Sequence, residues 1–184
     1  IATADGQRFA ADAVLLAAGA AVPKIVAEVG LQIADATPIS LLVKTKPIVV
    51  ALQAVLNTPR VAVRPTPSGS LVLDSAWSEE EVVRRLDGTF EVKDSTVQGL
   101  LAEASAVLEG NPRLVLDSYG VGPKPIPGDG EPVFGELPGI AGYYVAFSHS
   151  GATLGLIAGE LLADEIVTGE PHPLLKTFRP SRFK

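Results

Sequence analysis

The chain has 184 residues, of which 47% are hydrophobic and 20% are charged, so it can bury the core of one domain or slightly more. A formal net charge of −6 argues against a surface that binds nucleic acid, and the absence of cysteine excludes disulfides and thiol chemistry. Two histidines without any cysteine disfavour a structural zinc site.

The N-terminal part of the sequence predicts short strands and then a helix. Residues 1–9 contain an Asp-Gly turn between short apolar runs, which favours a hairpin. The apolar residues 14–20 predict a central parallel strand, because such strands are buried on both faces. Pro23 is typical of a helix start, so we expect a helix over residues 22–29 that ends at Gly30.

The middle of the sequence predicts a block of strands, mainly antiparallel. Residues 39–56 favour strand, with Pro47 at an edge or a bulge. Residues 61–64 and 70–73 flank a turn that contains proline and glycine, which indicates a hairpin.

Two helices interrupt this block of strands. Ser78 precedes three acidic residues, a pattern that favours a capped helix start. A second helix is expected over residues 97–108, capped by Asp94 or Ser95. The order of elements therefore indicates a mixed α and β fold rather than a series of βαβ units.

The C-terminal part combines a proline- and glycine-rich segment with a turn that opens a helix. Residues 114–116 predict a strand that leads into this segment, and residues 143–147 predict another. The long apolar helix expected over residues 151–167 contains Glu160, Asp164 and Glu165, and we therefore expect no membrane span. A strand that ends in small residues at a helix N-terminus can direct N–H groups at an electron-rich ligand.

These two motifs resemble the C-terminal half of the FAD-dependent D-amino acid oxidase, glycine oxidase and sarcosine oxidase superfamily. In that family, a segment of the form G-x-R-P-x-P-x-D-G-x-P-x-x-G precedes a G-H-S-G-type turn that contacts the flavin ring. Residues 122–135 of this sequence follow the first motif except for Lys124 in place of arginine, and residues 148–151 follow the second except for Ser148 in place of the first glycine. The match is strongest from Gly122 to the tail at residues 179–183.

The resemblance implies an α+β fold with a mixed or antiparallel substrate-domain sheet and the C-terminal parts of an FAD-binding Rossmann-like domain. We expect residues 1–36 to end the FAD-binding domain, residues 37–118 to form the substrate-binding sheet domain with inserted helices, and residues 119–184 to return to the FAD-binding domain. The G-x-G-x-x-G phosphate loop of a dinucleotide site is absent.

The chain also begins with Ile1 and contains no methionine, which favours a piece of a longer protein. The missing N-terminal half would then bind the ADP part of FAD. The sequence has no signal-peptide pattern, so we expect a cytoplasmic protein.

The resemblance assigns several residues to the flavin. The residues expected to contact it are Ala18, Gly19, Gly122, Pro123, Ser148, His149, Ser150, Gly151, Ala152, Thr153 and Leu154. The N-terminus of a helix carries about half a positive charge, which would stabilise negative charge on the reduced flavin. The alternative is an ordinary helix start in which Ser150 caps, Gly151 turns and nothing binds.

His149 is a candidate base because it lies in this turn. The resemblance assigns it no acid–base role, since in the resembling family it is chiefly the backbone of the turn that contacts the flavin.

Lys124 stands where D-amino acid oxidase-like members often have an arginine that binds the substrate carboxylate; the alternative is a solvated lysine. Lysine cannot form the planar, bidentate contact that arginine makes with a carboxylate, so the sequence leaves open whether the substrate is an amino acid. Asp129 is expected to form a structural Asx turn with Gly130.

The implied function is oxidation of a C–N bond of a small-molecule amine or amino acid by hydride transfer to FAD. The fragment alone is expected to be inactive. A non-catalytic binding or assembly domain is the alternative. A serine hydrolase is disfavoured, because the residues around Ser148 lack the glycines of the G-x-S-x-G motif.

Overall fold

The computed structural model describes residues 1–183, and the chain forms two compact units. Residues 1–37 join the segment from Lys124 onward in the first unit, and Pro38–Pro123 form the second. The mixed α+β fold predicted from the sequence is confirmed. Within residues 1–183, no helix combines the length and the apolar character that a membrane crossing requires.

The strands, in chain order, are β1 (Val14–Leu16), β2 (Ile39–Thr45), β3 (Leu56–Asn57), β4 (Ala62–Pro65), β5 (Leu71–Asp74), β6 (Val83–Arg84), β7 (Phe90–Glu91), β8 (Leu116–Pro123), β9 (Val133–Glu136) and β10 (Tyr143–Phe147). The helices are α1 (Val22–Ala27), α2 (Ala76–Glu80), α3 (Asp94–Ala106) and α4 (Gly151–Thr168). Short 3₁₀ turns span Gly19–Ala21, Pro173–Phe178 and Pro180–Arg182.

The first unit is a three-stranded sheet with helices packed on both faces. Strand β10 lies in the middle, parallel to β1 and antiparallel to β9. Val145 and Phe147 of β10 pack with Val22 and Val26 of α1 in one core cluster. A second cluster includes Ala158 and Leu162 of α4, Phe134 of β9 and Leu175 of the C-terminal segment.

Strand β1 was predicted to be central, but among the described strands it lies at the edge of this sheet. Only β10 pairs with it, and Leu15 is 41% exposed. The uniformly apolar character of residues 14–20 therefore does not correspond to burial on both faces within residues 1–183.

A buried ion pair fastens the C-terminal segment to the first unit. Both guanidinium Nη atoms of Arg179 donate to the Glu165 carboxylate of α4, at 2.6 and 2.8 Å. The backbone N–H of His172 donates to the same carboxylate at 3.1 Å. The Arg179 side chain crosses Gly135 of β9, whose φ is +127° and at which a Cβ would overlap the Arg179 Nη1 atom. Glycine is therefore needed at this position.

The second unit is a five-stranded antiparallel sheet in the order β3, β4, β5, β2, β8, covered on one face by α3. The core is formed by alternate strand residues, which are buried because successive side chains of a strand point to opposite faces. These are Leu41, Val43, Val61, Val63, Leu71 and Leu73, packed with Val97, Leu100, Leu101, Ala104 and Leu108.

Two predicted boundaries in the second unit were wrong: a strand end near a proline and the start of a helix. The strand predicted over residues 39–56 ends at Thr45, and Pro47, which has no N–H group to donate to a ladder, follows in an irregular segment. Ser78 does not cap a helix: it lies within α2, and its hydroxyl donates to the Ser75 carbonyl at 2.7 Å.

Two further boundaries differ because pairing and packing extend the elements. Helix α3 begins at Asp94 rather than Val97, with Lys93 at its N-cap. Strand β8 runs from Leu116 to Pro123 instead of covering residues 114–116, because it pairs along the whole of β2. The second unit consequently continues to Pro123, five residues past the boundary expected after residue 118.

Helix α4 spans Gly151–Thr168, one residue more than the predicted range 151–167, and ends at Gly169 in the left-handed conformation. Its buried face differs from the one predicted by the apolar residues at 154, 157, 161, 162 and 166. Ala158, Leu162 and Glu165 are buried, whereas Ile157 is 47% exposed.

We predict that Gly135→Ala lowers the free energy of unfolding by about 2–4 kcal/mol, because the methyl group meets Arg179 in a backbone conformation that suits glycine. Urea denaturation of the purified variant measures this change. Gly139→Ala is the matched control, since its φ is +79° but its Cβ would meet nothing within 4 Å. Equal losses in both variants would contradict the steric explanation.

Candidate functional site

A cavity of about 490 Å³ lies in the first unit, beside the turn between β10 and α4. Its walls come from the end of β1, from that turn, from the exposed face of α4 and from β9. The lining residues are Leu15, Ala17, Gly19, Pro125, Phe134, Ala146, Ser148, His149, Gly151, Ala152, Leu154, Gly155, Ala158, Gly159 and Leu162. The walls are thus almost entirely apolar, with polar groups concentrated at the turn.

The turn after β10 leaves helix N–H groups without acceptors. The Ser150 N–H donates to the Ser148 hydroxyl at 3.0 Å, and the Ser150 side chain makes no capping hydrogen bond. Within residues 1–183, the N–H groups of Gly151 and Ala152 donate to no acceptor. Ser150 therefore occupies the N-cap position without a capping side chain, and two donors at the positive end of α4 have no acceptor among the described residues.

Glycine at every fourth position opens the cavity side of α4. Gly151, Gly155 and Gly159 all line the cavity, and a Cβ built on any of them would meet nothing within 4 Å. Residues four apart lie on the same face of a helix, so these positions form one strip of accessible backbone. A planar ligand can approach the helix along this strip.

The proline- and glycine-rich segment forms another part of the cavity wall. It runs alongside residues 34–37: Gly128 donates to the Ala34 carbonyl at 2.7 Å, and Ala36 donates to the Ile126 carbonyl at 2.9 Å. A Cβ at Gly128 would lie 2.5 Å from the Ala34 Cβ, so only glycine allows this approach. The pairing holds the segment in place where Pro125 contributes to the wall.

Asp129 fixes the end of this segment. Its carboxylate accepts from the Glu131 N–H at 3.1 Å, which confirms the predicted Asx turn. It also accepts from Arg182 Nε at 2.6 Å and from Arg182 Nη2 at 3.0 Å. Hydrogen bonding by Arg182 holds the pKa of Asp129 below its usual value of 3.8.

The structure brings only some of the sequence-predicted residues to the cavity. Those that line it are Gly19, Ser148, His149, Gly151, Ala152 and Leu154. Ala18, Ser150 and Thr153 adjoin lining residues in the chain, and Lys124 is half-buried next to Pro125. Gly122 and Pro123 belong to β8 of the second unit.

The comparison with known sequences decides the family. The sequence model described as FAD dependent oxidoreductase matches residues 1–165. This chain belongs to that family. The resemblance seen in the two motifs is thereby confirmed.

Solved structures of this FAD dependent oxidoreductase fold align with nearly the whole chain. Glycine oxidase from Geobacillus kaustophilus is 24% identical with a TM-score of 0.77, and the alignment covers 97% of this chain and 47% of that one. Iminodiacetate oxidase from Chelativorans sp. BNC1 is 23% identical with a TM-score of 0.74, covering 96% and 48%. L-amino acid deaminase from Proteus myxofaciens is 14% identical with a TM-score of 0.77, covering 94% and 50%. This chain spans about half the length of these proteins.

The cavity of this family member suits one part of an FAD molecule. Apolar walls and the strip of accessible backbone fit a planar ring, and the two free N–H groups fit its electron-rich edge. No lysine or arginine among the described residues lines the cavity, so it offers no cation to a diphosphate. The residues present therefore fit the flavin ring of FAD.

Nine of the 15 residues that line the cavity, including Leu15, Phe134 and Leu162, were not predicted from the sequence. The repeat of glycines at 151, 155 and 159 was the one signal that could have extended the prediction along α4. The other residues come from separate strands, whose proximity depends on the tertiary fold.

We predict that Asp129→Asn lowers the free energy of unfolding near neutral pH by about 1 kcal/mol, the scale of a partly exposed ion pair. Because the pKa of Asp129 is lowered in the folded state, its stabilising effect is full above pH 3.8 and is lost as the pH falls through the folded-state value. Urea denaturation of both proteins should show a difference that shrinks in acid. Glu170→Gln, an exposed carboxylate without a cation partner among residues 1–183, is the control. A difference in the free energy of unfolding that is independent of pH would contradict a stabilising role of the ionised Asp129 carboxylate.

Proposed function

We propose that this chain is the C-terminal portion of an FAD-dependent oxidoreductase that oxidises a C–N bond of a small-molecule amine or amino acid. The observation that carries the proposal is the pair of unpaired N–H groups at the start of α4, next to an apolar, glycine-lined cavity. Membership of the FAD dependent oxidoreductase family supports it. The chemistry that FAD supplies when bound is acceptance of a hydride from the carbon next to the nitrogen.

The residues of this chain act by binding and shielding the ring. In this proposal, the N–H groups of Gly151 and Ala152 donate to its electron-rich edge, and the dipole of α4 adds about 0.3–2 kcal/mol of stabilisation for negative charge there. Leu15 and Phe134 contribute apolar surface that excludes water. The other proposed flavin contacts are Ala18, Gly19, Gly122, Pro123, Ser148, His149, Ser150, Thr153 and Leu154.

The two units have separate roles in this proposal. The first unit, from residues 1–37 and the segment after Pro123, belongs to the FAD-binding domain, and the second is the substrate-binding sheet. Lys124 is a positive charge that attracts an anionic group of the substrate, although its ammonium group cannot form the bidentate clamp of an arginine. An N-terminal half would supply the ADP site, so the present chain alone is inactive, and we place the parent protein in the cytoplasm.

The test is to purify the full-length parent protein and to measure its flavin content and its reduction by amines. We expect a yellow protein with the visible absorption of FAD, bleached anaerobically by at least one amine or amino acid. A colourless protein that cannot be reconstituted with FAD would favour the non-catalytic binding or assembly domain instead.

In the same protein, Gly151→Val should weaken FAD binding by about tenfold or more, because the branched side chain fills the space at the free N–H groups. The cavity is open at this position, so the variant should still fold. His149→Gln keeps the backbone and should retain FAD. Titration of the apoprotein with FAD, followed by flavin fluorescence, measures the dissociation constants.

Ala163→Val is the matched control for Gly151→Val, since it places the same side chain on an exposed position of α4 away from the cavity lining. Comparable weakening in Ala163→Val would show a general effect on the helix. Loss of turnover in His149→Gln with FAD still bound would replace the backbone explanation with a catalytic histidine.

A further inference from the structure

Residues 48–53, shortly after β2, have the burial pattern of a strand but pair with no strand within residues 1–183. Residues 48, 50 and 52 are half-buried and pack against the core of the second unit, whereas Val49 and Ala51 are exposed. Burial of alternate residues is typical of an extended chain. The sequence favours a strand as well, because positions 48–50 hold three consecutive β-branched residues.

The backbone of this segment lacks hydrogen-bond partners. The N–H group of Ile48 donates to the Gly69 carbonyl at 3.0 Å, which fixes the start of the segment. Among the residues that the structure describes, the N–H and carbonyl groups of residues 49–53 form no hydrogen bond. An extended segment with free backbone groups is a template on which another strand can pair.

Apolar surface borders the segment. A groove of about 320 Å³ lies between it and the end of α3, and Leu52 and Val107 contribute to its walls. Val49 is fully exposed, and Val55 is 61% exposed. Proteins usually protect an uncharged apolar edge of this kind, because it would otherwise cause aggregation.

The charge pattern favours a second copy of this chain as the strand that covers the edge. No charged residue occurs between Lys46 and Arg60, although the chain carries a net charge of −6. Two copies therefore repel each other in general but oppose no like charges along this segment. A strand that pairs antiparallel with its own copy forms a two-fold interface, which closes at a dimer.

We propose that residues 48–53 form the interface of a two-fold symmetric dimer, in which this segment pairs antiparallel with the same segment of a second copy. The half-buried residues of both copies keep facing their cores only if even-numbered residues pair with even-numbered ones. The two-fold axis then passes at Val50 or at Ala51. Either register places the two Ala51 side chains within about 8 Å of each other. The inference goes beyond the proposed function and does not depend on flavin chemistry.

The experiment measures the association of the full-length parent protein by sedimentation velocity at several protein concentrations. We expect a dimer. Ala51→Lys places two like charges near the axis and should raise the dimer dissociation constant by about tenfold or more at low salt. Ala51→Glu should have the same effect. An equimolar mixture of the two variants should form dimers again, because opposite charges then face each other across the axis.

Leu86→Lys is the matched control. Leu86 is fully exposed in the same unit, between β6 and β7, so the variant adds the same charge outside the segment. It should leave the dissociation constant within about twofold. Both positions are exposed, so all variants should fold, and thermal unfolding followed by circular dichroism checks this.

Hydrogen exchange locates the interface directly. The amides of residues 49–53 should exchange slowly in the dimer and rapidly in Ala51→Lys. Slow exchange of these amides in a monomeric protein would overturn the inference, because another part of the same chain would then cover the segment.

Two results of the association experiment would also overturn it. One is a protein that stays monomeric at every concentration, or a dimer whose dissociation constant Ala51→Lys leaves unchanged. The other is equal weakening by Leu86→Lys, because the effect would then come from net charge and not from the segment.

Discussion

The ion pair between Arg179 and Glu165 connects three parts of the first unit, two of which, α4 and β9, line the cavity. Glu165 belongs to α4, Arg179 belongs to the C-terminal segment, and Arg179 lies across Gly135 of β9. Burying two charges is costly, and the cost is offset here by bidentate geometry and by a further N–H donor from His172. Removing one partner would leave the other charged and buried, which typically costs about 3–5 kcal/mol.

The ion pair fixes the C-terminal end of α4, whereas the N-terminal end of the same helix is open to the cavity. The helix is fixed by packing of Ala158 and Leu162 and by the ion pair of Glu165. Its first turns can therefore remain exposed, with glycine in place of side chains and with N–H groups lacking acceptors. A site that binds through its backbone depends on such support, because no side chain at the site itself sets its position.

The parts of the fold that the sequence predicted are those determined locally. Strand β10 and helix α4 were predicted because a short apolar run, small turn residues and Gly169 mark their ends. The extension of β8 to Pro123 was missed because its glycines and prolines have low strand propensity, and pairing with β2 overrides that propensity. The motif residues Ser148 and Gly151 were placed at the cavity by resemblance, whereas Phe134 and Leu15 required knowledge of which strands are neighbours.

The pairing of residues 34–37 with the segment around Ile126 has a consequence for how this protein can evolve. The chain leaves the first unit and returns to it at two hydrogen-bonded neighbours, so the second unit is an insertion between adjacent points. Chain length and strand content between Pro38 and Pro123 can then change while the two anchoring segments keep their geometry. The inserted sheet can thus vary in sequence and length without a change in the structure of the first unit.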